Sequence, residues 1–222
     1  MITVHHLENS RSQRVLWLLE ELALPYEIVH YARDPKTMLA PAELRRVHPL
    51  GKAPVITDGD NTLAESGAII EYLVEAYGRG RLIPAAGTPE RQRYTMWMHY
   101  AEGSAMPPLL MKLVFARLPG RTPAILRPLM RQVMARAQRG FVDPQLKAHA
   151  DYWEMELARH QWFAGEEFTA ADIQMSFPLE AAAARGRGTE GRPKVQAFLD
   201  RIHARPAYLR ALERGGPYAL MR

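Results

Sequence analysis

Apolar positions in the first 77 residues switch between two spacings. Ile2–His6 is a short β-branched run that predicts a strand. Over residues 12–23, Val15, Leu16, Leu18, Leu19, Leu22 and Ala23 recur at helical intervals, and Pro25 stops the run. Tyr26–Tyr31 reads as a second strand, and a strand–helix–strand unit of this length predicts a parallel pair with a right-handed crossover. A short helix is expected around Pro41–Arg46. Pro54–Thr57 and Thr62–Ala64 flank the turn signal Asp58-Gly59-Asp60-Asn61, which predicts two further paired strands. Ile69, Tyr72, Leu73, Ala76 and Tyr77 then form one face of a helix over 66–77, so the predicted order is β-α-β-α-β-β-α.

After residue 77 only the helical spacing persists. Residues 78–89, rich in Gly and Pro, read as a linker, which divides the chain into 1–78, 79–89 and 90–222. Helical pattern runs from about Pro89 to Ala116, with a kink or break expected at Pro107-Pro108. A second long segment covers roughly 123–160, with a bend near Gly140–Pro144. Thr169-Ala170-Ala171-Asp172 fits a capping box, flanked by Phe168 and Ile173 as a hydrophobic staple. Val195, Phe198, Leu199 and Ile202 predict another helix, and Pro206 stands where one more begins.

Charge breaks where the pattern breaks. Residues 1–78 hold seven Lys and Arg against eleven Asp and Glu, whereas residues 79–222 hold twenty-two against thirteen. Lys112 to Lys147 carries eight cations and one acid, Asp143, without a nucleic-acid-binding motif. This is the pattern of a solvated helix face, and no nucleic acid partner is expected. There is no cysteine, which excludes disulfides, thiolate metal sites and a thiol nucleophile supplied by the protein. The eight histidines show no metal-ligand spacing, so no metal is expected. Neither a P-loop nor a G-x-S-x-G elbow occurs. The chain opens without a secretory signal and has no apolar run long enough to span a bilayer, so a cytoplasmic protein with no membrane partner is expected.

Three short motifs at element starts remain as candidate chemistry. Asn9-Ser10-Arg11-Ser12-Gln13-Arg14 joins the first strand to the first helix and would place a hydroxyl at a positive helix end, where an anion such as a thiolate is stabilised. Ser10-x-x-Gln13 is equally a capping box, and Ser12 is a cap candidate too. Gly51-Lys52-Ala53-Pro54-Val55 enters a strand through a proline. Glu65-Ser66 precedes the 66–77 helix, with Ser66 either an N-cap or a carboxylate ligand and Glu65 an acid that no structural need explains.

Together these motifs, with His48-Pro49-Leu50, Gly67-Ala68-Ile69 and Phe168-Thr169-Ala170-Ala171-Asp172-Ile173, resemble the cytosolic glutathione S-transferase superfamily over nearly the whole chain. The resemblance implies an α/β plus all-α architecture: an N-terminal thioredoxin-like domain followed by an all-helical C-terminal domain. It implies glutathione as co-substrate, with Ser66 on the γ-glutamyl carboxylate and Glu65 facing the ammonium. Ala53 would exchange backbone hydrogen bonds with the cysteinyl unit beside a cis Pro54, and Lys52 would lie near the glycyl carboxylate. A bacterial-type, serine-type active site follows, because the position after the first strand offers no Tyr or Cys. Ser10 is the first choice for the catalytic hydroxyl, with Ser12 and the Asn9 amide as alternatives. A small hydrophobic electrophile would sit against the first long helix, near Tyr100, Ser104, Met106, Pro107 and Pro108.

The resemblance further implies a homodimer with a role in detoxification. His48 departs from the Asn common before that proline, which bears on subclass. Thiolate attack on the electrophile is the expected reaction. Glutathione-dependent peroxide reduction or dehalogenation, or a non-catalytic glutathione-binding regulatory or scaffold role, are the alternatives.

Overall fold

The computed structural model of the chain describes residues 1–37, 39–184 and 190–221. Its first 77 residues build a four-stranded mixed sheet in the order β2-β1-β3-β4. The strands are β1 (Ile2–Leu7), β2 (Tyr26–Tyr31), β3 (Val55–Asp58) and β4 (Asn61–Ala64). β1 is central, parallel to β2 and antiparallel to β3, so its residues are buried on both faces as an interior strand requires. Gly59, at a φ of 57°, and Asp60 form the tight turn between β3 and β4.

Helix α1 (Ser12–Leu22) lays Val15, Leu16, Leu18, Leu19 and Leu22 into the core. It ends at Ala23 in a left-handed conformation whose N–H caps the Glu20 and Leu19 carbonyls, two residues before Pro25. A short α2 (Leu44–Val47) and α3 (Ser66–Tyr77) complete this body.

The second body is helical. It comprises α4 (Pro89–Tyr100), α5 (Met106–Arg117), α6 (Arg127–Ala137), α7 (Asp143–Arg159), α8 (Ala170–Ala183), α9 (Pro193–His203) and α10 (Pro206–Gly215). The expected interruption at Pro107-Pro108 lies earlier than the prolines. Ala101–Ala105 forms a wide π-helical turn, and the prolines sit in the first turn of α5. A proline ring clashes with the carbonyl four residues before it, here on Gly103 and Ser104, and the widened turn absorbs that conflict. The same device recurs at Gln138–Val142, just before Pro144. Although cation-rich, α6 buries none of its residues, which fits a solvated helix face.

α8 runs through the middle of the molecule with every residue from Ala170 to Ala182 buried. Its capping box forms as the sequence predicts: the Asp172 carboxylate accepts from the N–H groups of Thr169 and Phe163, each at 2.8 Å. α1 packs between α3, α8 and α10, so the two bodies share one apolar core. Among the described residues no helix is long and apolar enough to cross a membrane.

Candidate active site

Strand register brings the three candidate motifs to one end of the sheet. His5 on β1 stands opposite Val55, and Val55 stands opposite Ala64 on β4. The residues just beyond each strand end therefore lie side by side: the Asn9–Ser12 turn, Pro54 and Glu65. The Ala53–Pro54 peptide is cis.

Ser66 opens α3, yet its hydroxyl does not cap that helix. Its oxygen accepts from Nη1 of Arg14 at 3.2 Å. Arg14 is fully buried and also donates to Gln174 Oε1 at 2.6 Å and to Glu102 Oε1 at 2.7 Å. An arginine has no acceptor, so the Ser66 proton cannot point at Arg14 and is left to serve a ligand. Glu65 precedes the helix as an exposed residue at a φ of 72°, a left-handed conformation rare for a non-glycine residue. Such conformations collect at functional sites and mark Glu65 as held there by its surroundings.

Glu102, from the π-helical turn, ties the helical body to this network. Both of its oxygens accept from Nε of Arg11 at 2.9 Å. Burial works against its charge, but the neighbouring Arg14 and Arg11 outweigh burial and hold the carboxyl below its ordinary value. Burial in turn lowers the proton affinity of Arg14, against Glu102. Phe177 on α8 lies under both guanidiniums, 5.1 Å from Arg11 and 5.0 Å from Arg14.

The hydroxyl end is arranged differently. Arg11 stands at the N-cap of α1 without a side-chain cap, and the Ser10–Gln13 capping box does not form. Instead Ser10 Oγ accepts from the Ser12 N–H at 3.2 Å and lies 2.7 Å from Ser12 Oγ. Ser12 is completely buried, and its hydroxyl also lies 2.9 Å from His6 Nδ1 and 3.3 Å from the Leu7 carbonyl. Ser10 keeps 6% exposure. Asn9 has its amide oxygen engaged by the Ala219 N–H at 2.6 Å, so the C-terminal turn rests on it.

Of the other candidates, Lys52 is exposed and Ala53 half-buried beside the cis bond. On the expected electrophile side, Tyr100 is half-buried, its hydroxyl bonds His149 and its ring packs against Trp97 and Tyr152, while Met106 is 7% exposed within the core. Pro108 is buried as well, whereas Ser104 and Pro107 are exposed.

The motifs alone did not single out His6, Glu102, Gln174 or Phe177, and Arg14 entered only as the last residue of the first motif. One signal for Arg14 was present: it lies four residues before Leu18 on the apolar stripe of α1, where a cation needs a buried partner. Glu102 is the last acid before forty residues without one. Among the described residues no group of three His, Asp or Glu side chains gathers as a metal would need.

A thioredoxin-like sheet with a cis-proline entry, joined to a helical bundle by a polar network of Arg14, Ser66, Gln174 and Glu102, is the architecture of a thiol-cosubstrate enzyme. Family models agree on both parts: glutathione S-transferase N-terminal domain over residues 10–76, and C-terminal domain over residues 119–206. Glutathione S-transferase 3 of Schizosaccharomyces pombe is 36% identical over 96% of this chain and 88% of its own length. Glutathione S-transferase GstB of Escherichia coli is 31% identical over 93% and 95%.

A crystal structure of a glutathione S-transferase from Actinobacillus pleuropneumoniae matches with a TM-score of 0.83 at 33% identity, covering 100% of this chain and 96% of that one. A family member from Pseudomonas fluorescens with two glutathione bound matches at 0.73 and 28% identity, covering 96% and 92%. The chain belongs to the glutathione S-transferase family. It is a glutathione transferase, with glutathione as co-substrate.

Proposed function

We propose that Ser66 and Glu65 hold the γ-glutamyl end of glutathione, Ala53 its cysteinyl backbone and Lys52 its glycyl carboxylate, and that the Ser10 hydroxyl donates to the sulfur. The observation that supports this reading is the convergence of Ser10, the cis Ala53–Pro54 bond and an Arg14-backed Ser66 at one end of the sheet. A carboxylate at Ser66 meets the hydroxyl proton, the N–H groups that open α3 and the buried Arg14 charge. Glu65 gives the ammonium an acid.

The sulfur end is a question of proton affinity. A free thiol has a pKa of about 8.5, and only its thiolate attacks well. Lowering it by about two units takes roughly 2.7 kcal/mol of preference for the charged form. One hydrogen bond to a charged acceptor supplies about 1.5–3 kcal/mol. Ser12 is less suited than Ser10 because it is wholly enclosed, whereas Asn9, whose oxygen accepts from the C-terminal turn, keeps its amide N–H groups as the alternative donor.

The electrophile approaches between the Asn9–Ser10 turn and the start of α5, where Ser104 and Pro107 are exposed. A small hydrophobic compound suits this position. A homodimer working in the cytoplasm for detoxification fits the family.

Ser10→Ala tests the assignment. Turnover falls by about 10–100-fold with glutathione affinity within about threefold of wild type, since the hydroxyl matters most once charge sits on sulfur. Unchanged turnover in Ser10→Ala would refute the role.

A further inference from the structure

Beneath Ser10 lies a buried polar chain that the transferase reading leaves without a task. Ser10 Oγ, Ser12 Oγ and His6 Nδ1 follow one another at 2.7 and 2.9 Å, and all three residues are buried. Its directions can be worked out from which groups can donate. The Gly215 backbone, at the end of α10, acts on the His6 ring to raise its proton affinity, as a carbonyl acceptor does. With Nδ1 facing Ser12, that carbonyl is left to the Nε2 side, and the tautomer with its proton on Nε2 gives Nδ1 a lone pair. α10 comes this close because residue 215 is glycine: an added Cβ would meet Gln13 Oε1 at 2.7 Å and Leu16 Cδ1 at 2.8 Å.

Burial, then His30 on the adjacent strand, lower the His6 pKa to about 4, with the Gly215 carbonyl and Glu8 acting in the opposite sense. The ring is therefore neutral near pH 7, and its Nδ1 lone pair, at 2.9 Å, takes the Ser12 proton ahead of the Leu7 carbonyl at 3.3 Å. Having spent that proton, the Ser12 oxygen accepts from the Ser10 hydroxyl. In the free protein the Ser10 proton thus points inward and its oxygen faces the sulfur with a lone pair. Donation to a thiolate demands that the whole chain reverse.

We propose that the thiol proton of bound glutathione passes through Ser10 and Ser12 to Nδ1 of His6. The inference rests on the reading of Ser10 as the hydroxyl that meets sulfur. The S–H bond breaks as a proton joins Ser10 Oγ, the former Ser10 proton moves to Ser12 Oγ, and the former Ser12 proton moves to His6. Both hydroxyls end as they began, each now pointing toward the sulfur, and the products are a thiolate and an imidazolium. The thiolate raises the proton affinity of the ring that faces it through the chain. His6 acts only through the two serines.

The test uses the full chain with glutathione, and with S-methylglutathione as a ligand that has no thiol proton. Ring-nitrogen NMR, with His6 assigned by its loss in His6→Phe, should show a neutral ring in the free and S-methylglutathione forms and an imidazolium when the thiolate is bound. His6→Phe and Ser12→Ala should each raise the bound-thiol pKa by about one unit, a tenfold loss of thiolate. The double variant should lose no more than either single one, and S-methylglutathione affinity should stay within about twofold, as a single relay that touches only the thiol proton requires. A His6 ring that stays neutral beside a bound thiolate overturns the relay, as does an unshifted bound-thiol pKa in both variants. The NMR arm needs only wild-type spectra once His6 is assigned, and Ser12→Ala is the smaller change should His6→Phe fail to fold. An unlowered thiol in the wild type refutes the Ser10 reading itself, and the relay with it.

Discussion

The two ends of the candidate glutathione site are built from opposite materials. At Ser66 the support is ionic: Arg14 bonds Ser66, Gln174 and Glu102, and Glu102 also binds Arg11. At Ser10 the support is a chain of neutral groups, two hydroxyls and an imidazole. An arginine can only donate, so the ionic end has one direction and holds a carboxylate that never changes charge. Hydroxyls can turn, so the neutral end can follow a group whose charge changes during the reaction. Fixed charge suits binding, and reversible polarity suits ionisation.

If that division is right, damage at the ionic end reaches furthest. Arg14→Ala empties a fully buried site and leaves the buried Ser66 and Gln174 oxygens without their donor, which together costs about 3–5 kcal/mol. For a chain of this size that corresponds to a fall in melting temperature of roughly 6–20 °C, read by thermal unfolding. Ser66→Ala is milder and falls on binding. One hydrogen bond to a carboxylate is lost, so glutathione affinity drops about tenfold or more by calorimetry, with saturated turnover nearly unchanged. Unchanged affinity would remove Ser66 from the carboxylate role and blur the comparison.

The smallest effect sharpens the electrostatics. Glu102 is held below its ordinary 4.5, so the folded protein binds that proton less readily than the unfolded chain. Its stabilisation is complete above about pH 4.5 and lost as pH falls through the lower folded value. Glu102→Gln should therefore destabilise the protein at neutral pH, with the gap to wild type narrowing as pH falls below 4.5 in denaturant titrations. A gap that widens in acid would contradict the sign.

Much of the fold could be read from spacing. Val15 to Leu22 announces α1, Asp58-Gly59-Asp60-Asn61 the β3–β4 hairpin, and Thr169 with Asp172 the start of α8. These signals are local, each carried by neighbours within a few residues. The motifs at Ser10, Pro54 and Glu65-Ser66 were visible for the same reason. Partners distant in sequence were not. Arg14 meets Ser66 across 52 positions and Gln174 across 160, and no short pattern encodes such pairs. One local pattern can also serve two uses: Ser66 stands where a cap would, although its oxygen accepts from Arg14.

The most direct measurement is titration of the wild-type protein with glutathione while thiolate absorbance is followed across pH. The site described here predicts saturable binding with a bound-thiol pKa well below the free value of about 8.5. Binding with an unshifted thiol, or no binding at all, would contradict it.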